Sequence, residues 1–170
     1  MISSVEYPLI AIQHFIQATR DSGYKSTSAA LAELVDNAFE ANASCVEIQI
    51  ESPDEDHSRS VIVSDNGVGM PPTILQLALQ FGGSTRFNSR RGLGYGMGLP
   101  NSSLSQARRV DVYSWQNRNW IWSTYLDVDE IASGKMLRVP SPVKIRPNLP
   151  KEHLAPMLGL GKEVAFAGLA

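Results

Sequence analysis

Six of the chain's 13 glycines fall between residues 82 and 98, in the company of Arg86, Arg90 and Arg91. Glycine at every second position weakens a regular strand, so no packed element is expected there and the stretch reads as a long mobile loop. The fold has to be assembled from the sequence on either side of it. At 170 residues the chain has the length of about one domain, enough to bury a core without disulfides. Cys45 is its single cysteine, so an intrachain disulfide is excluded and a cysteine-built zinc site is not expected.

Before the loop, Pro8 opens an apolar-periodic run through Ile12, Phe15 and Ile16 that stops near Gly23, a helix with proline at its start and glycine at its end. Ser26, Thr27 and Ser28 offer N-caps to a second helix reaching Ala41 or Asn42. Val46 to Ile50 alternates apolar and polar, as a half-buried strand does. The polar residues 52–59 then turn the chain into a second strand, Ser60 to Ser64, predicting an antiparallel hairpin. Pro71-Pro72 starts a further helix to about Gln80. Beyond the loop, Leu99 to Ala107 reads as a short helix, with Arg108 and Arg109 at its solvated end. Val110–Trp115 and Trp120–Val128 read as a hairpin with cross-strand aromatic packing among Tyr113, Trp115, Trp120, Trp122 and Tyr125. After Ser133 the pattern weakens; residues 157–170 are apolar and small, and helix and strand both remain open. This order predicts an α+β domain, with helices on one face of a mixed sheet. Residues 1–135 form its core and 136–170 a proline-rich extension with an apolar tail.

The second helix carries the first chemical signal. Glu33, Asp36, Asn37 and Glu40 fall within about one 100° sector, with Thr27, Leu31, Leu34 and Ala38 on the opposite, core-facing side. No lysine or arginine lies between Lys25 and Arg59, whereas an ordinary solvated face mixes signs. Glu33 and Asn37 project side by side, one turn apart. A carboxylate in that place can deprotonate water for attack on a phosphate, and an amide oxygen beside it can ligate Mg²⁺.

The second signal is the turn Asp65-Asn66-Gly67-Val68-Gly69-Met70 after the second strand. A carboxylate at a strand end can accept a hydrogen bond from the exocyclic amine of adenine. Gly67 and Gly69 let the backbone approach the purine, and Met70 supplies an apolar wall. Guanine, with a carbonyl at that position, would be rejected. The third is the glycine-rich stretch, which reads as a phosphate-covering lid ending at a helix N-terminus. There the backbone N–H groups of Gly96, Met97, Gly98 and Leu99 point at an anion. Ser84, Thr85 and Arg86 can add hydroxyl and guanidinium contacts to the terminal phosphate. It is neither a Walker A loop nor a Rossmann fingerprint.

These three elements in this order resemble the GHKL superfamily: DNA gyrase, the large heat-shock chaperones, histidine kinases and MutL, with MORC proteins alongside. Glu33 to Ala38 looks like its N-box, Asp65 to Met70 like its adenine-binding motif and Gly92 to Leu99 like its ATP lid. The likeness covers about residues 10–128, and Ala32 to Ala38 looks nearest to MORC-like and MutL-like proteins. The resemblance implies the Bergerat ATP-binding fold, with helices over one face of a mixed, mostly antiparallel sheet. It implies Mg²⁺ and ATP as ligands and a nucleotide site of Asp36, Asn37, Asp65, Gly67, Gly69, Met70, Ser84, Thr85, Arg86, Gly92, Gly94, Gly96, Met97, Gly98 and Leu99. Within that site Glu33 would be the general base, Asn37 the Mg²⁺ ligand and Asp65 the adenine partner. It also implies lid closure that drives a homodimer or a downstream transducer or output domain.

Two departures stand out. Gly92 to Gly98 runs one residue out of the usual lid phase, and the family's later strand with a Gly-Thr pair has no counterpart, since the last threonine is Thr124. No transducer domain follows, so the chain reads as incomplete at its C-terminus. Three functions compete: an ATPase, a nucleotide-binding module without turnover, and a histidine-kinase catalytic domain. The last is disfavoured because His14, His57 and His153 sit in no acceptor helix. A formal net charge of −2 gives no bulk attraction to nucleic acid or membrane. No apolar run approaches the roughly 20 residues of a membrane span, and the expected location is the cytoplasm.

Overall fold

The computed structural model describes residues 9–51, 59–82, 98–116, 120–145 and 163–169. Helix α1 (Ile12–Ser22) ends at Gly23. Helix α2 (Thr27–Glu40) starts on Ser26, whose side chain accepts a hydrogen bond from the Ala29 N–H, the capping that the serine cluster predicts. It closes in a Schellman motif: Ala43 N–H reaches Ala38 O and Asn42 N–H reaches Phe39 O, both at 3.0 Å. Asn42 takes the left-handed conformation that this motif requires, with φ of 60°, which asparagine tolerates better than most residues.

Strands β1 (Val46–Glu51) and β2 (Arg59–Asp65) form the expected antiparallel hairpin, Val46 facing Asp65. Helix α3 (Pro72–Ala78) follows the turn, with proline in its first turn. Helix α4 (Gly98–Gln106) leads into β3 (Ala107–Ser114), which pairs with β4 (Ile121–Asp127). Arg108 and Arg109 therefore belong to a strand rather than a helix end. Arg108 pairs with Asp129, while Arg109 bonds Asp111 and stacks over the Tyr125 ring. Two short elements escape sequence analysis: helix α5 (Val128–Ala132) and strand β5 (Val143–Ile145).

The tail settles as strand β6 (Glu163–Leu169). It runs between the two hairpins, antiparallel to β2 on one side and to β3 on the other, giving the sheet order β1-β2-β6-β3-β4-β5. A later strand thus does pair with the strand that carries Asp65, although residues 163–169 contain no Gly-Thr pair. Every described pairing is antiparallel.

The helices and one sheet face enclose the core. The main cluster joins Ile16 of α1, Leu75 of α3, Leu104 of α4, Val110 and Val112 of β3, Leu126 of β4 and Ile131 of α5. Under α2, Leu34 packs on Val61 and Val63 of β2, and Leu99 touches both clusters. Leu75, Leu79 and Leu104 have no exposed surface; truncating a leucine so placed costs about 2–5 kcal/mol. Among the described residues no helix is long and apolar enough to cross a membrane.

Candidate functional site

The polar sector of α2 is not evenly exposed. Glu33 and Asn37 are half-buried, while Asp36 and Glu40 are exposed. Opposite them Ala30, Leu34 and Ala38 are buried as periodicity requires, but Thr27 is exposed, its hydroxyl donating to Gln106 Oε1 at 2.8 Å. A helix side turned partly inward needs partners for its polar groups, and Glu33 has two neighbours. Tyr24 is near enough for its phenol to feel the Glu33 charge. Gly98, the first residue of α4, lies so close that a Cβ there would overlap Glu33 Oε1. The first turn of α4 contains no acidic residue, so the Glu33 carboxylate supplies the negative charge that a helix N-terminus favours. Burial, and then the Glu33 charge, push the Tyr24 phenol above the ordinary tyrosine range.

At its other end α2 meets the turn after β2. Asp65 is buried, 8% exposed, and its Oδ1 accepts the Gly67 N–H at 2.7 Å. Gly67 has no room for a side chain: a Cβ would stand 2.8 Å from the Ala41 Cβ and 2.9 Å from the Ala41 carbonyl oxygen. That oxygen accepts the Val68 N–H at 3.0 Å. Gly69 has φ of 70°, a conformation open to glycine and costly for most other residues. Asn66 ties the turn to the α2–β1 connection, its Oδ1 accepting from Ser44 N–H and Cys45 N–H at 2.8 and 2.9 Å. Met70 N–H donates to Ser114 Oγ on β3 at 2.7 Å, and the half-buried Met70 packs against the main core.

One helix therefore bridges the two motifs. Ala41 abuts the Asp65 turn and Glu33 abuts the start of α4, about 12 Å apart along the axis at 1.5 Å per residue, with Asn37 midway between them. Gly98 and Leu99 lie where expected, at the N-terminus of α4. Ser84, Thr85, Arg86, Gly92, Gly94, Gly96 and Met97 fall outside the described residues. Three partners carried no motif signal: Tyr24 beside Glu33, Ser114 beneath Met70, and Gln106 against Thr27. A cavity of about 630 Å³ lies elsewhere, among Ile12, Ile16, Leu77, Phe81, Met136 and Val139, and contains none of the expected site residues.

The donor set suits a nucleoside triphosphate with a hard cation. It combines a buried carboxylate at one end, an amide oxygen in the middle, and at the other a carboxylate beside helical N–H groups that have no partner within the helix. Among the described residues no cluster of three or more histidine, cysteine or acidic side chains could hold a metal by itself. A Mg²⁺ ion here would thus take its remaining ligands from phosphate and water, as that ion commonly does.

A sequence model of the family described as "Histidine kinase-, DNA gyrase B-, and HSP90-like ATPase" matches residues 24–152. The chain is similar to the DNA mismatch repair protein MutL of Kosmotoga olearia, 32% identical over 114 residues. That match takes in 64% of this chain and 18% of the relative, so the chain spans less than a fifth of the relative's length. Among solved structures it is similar to one described as "Crystal Structure of N terminal domain of a DNA repair protein", with a TM-score of 0.56 and 18% identity. The likeness covers 89% of this chain and 38% of that one, and at such identity it concerns the fold.

Proposed function

This chain belongs to the histidine kinase-, DNA gyrase B- and HSP90-like ATPase family, and on that premise we propose that it binds Mg·ATP along α2 and hydrolyses it. Membership of an ATPase family supports the binding. The reading of hydrolysis is carried by one observation, the Glu33 carboxylate seated against Gly98 at the start of α4. In this reading Asp65 accepts the adenine amine and the Asp65–Met70 turn walls the purine. Asn37 holds the cation by its amide oxygen, and the N–H groups at the start of α4 bind phosphate. Ser84, Thr85, Arg86 and the glycines of the lid, Gly92, Gly94, Gly96 and Gly98, cover it. Asp36, exposed one residue before Asn37, lies at the rim.

Bound Mg²⁺ supplies charge neutralisation on the phosphate oxygens. Glu33 takes a proton from the attacking water while the water oxygen bonds to the γ-phosphorus. The bond to the bridging oxygen breaks, and ADP and inorganic phosphate leave. Lid closure would carry the nucleotide state to a homodimer contact or a downstream output domain. The MutL relative favours DNA repair as the process served.

The experiment is Glu33→Ala. Phosphate release should fall by on the order of 10²- to 10⁴-fold while ATP affinity, measured by calorimetry, stays near wild type. Unchanged turnover would remove Glu33 from the chemistry. A second reading, a nucleotide-binding module without turnover, draws on the absence of a Gly-Thr pair in β6. Tight ATP binding with no phosphate release from the wild-type chain would select it.

A further inference from the structure

The segment from Gly98 to Ser114 meets the candidate site twice. Helix α4 begins at Gly98, against the Glu33 carboxylate, and runs without a break into β3, which ends at Ser114 beside Met70. Ser114 has no exposed surface and shares the core-facing side of β3 with Val110 and Val112. In the sheet, Asp65 and Ser114 stand opposite the same residue of β6, Glu163. They therefore lie in one row on one face, two strand spacings or about 10 Å apart. The turn after β2 crosses that gap. It leaves the sheet at Asp65 and is caught on the far side, where Ser114 Oγ accepts the Met70 N–H at 2.7 Å.

Other bonds of the turn run the opposite way, Asn66 to the Ser44–Cys45 backbone and Val68 to Ala41. Met70 is where the turn reaches the second hairpin. Gly69 before it has φ of 70°, and Pro71 after it confines Met70 to extended conformations. A methionine side chain is unbranched and adapts to what it touches, so its backbone decides where such a wall stands. Resting on the adenine-binding reading above, we propose that Ser114 is a positioning residue for the purine, its hydroxyl fixing the distance between the Met70 wall and the Asp65 carboxylate. A base held by one polar contact and one apolar wall needs that distance set in advance, by groups that do not themselves touch the ligand. A row-mate of Asp65 on another strand sets it through the sheet.

The test uses the full chain with Mg·ATP and with Mg·tripolyphosphate, which carries no base. Ser114→Ala should weaken ATP binding about 10-fold, the range of one buried hydrogen bond. KM should rise by the same factor, with kcat at saturating ATP unchanged. Tripolyphosphate affinity should stay at the wild-type value, because the Glu33 end is untouched. The Met70 amide of the wild-type chain should exchange slowly with solvent, and faster in Ser114→Ala. Wild-type ATP affinity in Ser114→Ala overturns the proposal. So does an equal loss for ATP and tripolyphosphate, which marks a general structural role or a failure to fold. A fast-exchanging Met70 amide in the wild-type chain overturns it whatever the variant does. If the wild-type chain binds ATP without releasing phosphate, hydrolysis alone fails and the affinities still decide the role of Ser114. If it binds no ATP, the adenine reading and the positioning fall together, and the exchange rate separates that failure from a misplaced Ser114.

Discussion

The two ends of α2 are built on opposite plans. At the Asp65 end the protein satisfies its own polar groups: Gly67 bonds Asp65, Asn66 bonds the Ser44–Cys45 backbone, Val68 bonds Ala41, and Met70 bonds Ser114. At the Glu33 end the first N–H groups of α4 have no helical acceptor, Pro100 contributes none, and a side chain from another helix leans against them. A turn so tied is held in one shape before anything binds, as the proposed adenine site would need. A helix start with donors to spare suits a group that arrives with negative charge and leaves as product. In the proposed function, affinity and specificity would reside at the first end and rate at the second.

That division can be broken by substitutions that touch one end at a time. The largest effect is expected from Asp65→Asn, which keeps the shape but turns an amide N–H₂ toward the adenine amine. ATP affinity should fall about 100-fold, the range of a lost hydrogen bond to a charged group, while kcat at saturating ATP holds. A fall in kcat with affinity intact would show that the two ends are not separable. Asn66→Ala follows: it removes the acceptor for two backbone N–H groups and should cost about 2 kcal/mol of stability, seen in urea unfolding. Gly98→Ala comes next. Its Cβ displaces the Glu33 carboxylate, so kcat should drop about 10-fold with little change in ATP affinity or melting temperature, alanine being a better helix former than glycine. If Gly98→Ala instead weakens binding alone, the Glu33 end contributes affinity after all.

The smallest effect is expected far from either end, at the exposed Arg108–Asp129 pair. The guanidinium holds the Asp129 carboxyl below its ordinary range. A depressed carboxyl contributes stability above its unfolded pKa and loses it as pH falls through the folded value. Arg108→Ala should therefore lower stability slightly near neutrality and leave it unchanged at the acid end, so that stability falls less steeply through the carboxylate range. Salt should weaken the contribution further.

What the sequence made legible was local. Ser26, the period of Ala30, Leu34 and Ala38, and the alternation of β1 each depend on neighbours within a few positions, so α2 and the first hairpin were readable to within about a residue or two. Helix α5 was missed because five residues show no period, though a local signal existed: Asp127 caps the N–H groups of Asp129 and Glu130. Arg108 and Arg109 were misplaced because α4 passes into β3 without a break at Gln106–Ala107, and charge said nothing of the pairing of Arg109 with Asp127 across the sheet. Val164 to Ala167 is apolar throughout, compatible with helix or strand; only the gap between β2 and β3 decides, and that gap is made by strands that begin at residues 59 and 107, far from β6 in the chain. Tyr24 was silent for the same reason. Its neighbour Glu33 is nine residues ahead across a helix cap, and its carbonyl oxygen meets Gln106, 82 residues on.

The place of β6 has a consequence for synthesis. It is the last described strand to leave the ribosome, yet it is the central seam between the two hairpins. Until it emerges, β2 and β3 share no ladder, and the Met70–Ser114 bond has to close across an unfilled sheet. The order of translation thus opposes the order of assembly: the nascent chain completes both hairpins early and is expected to join them only when β6 slots in.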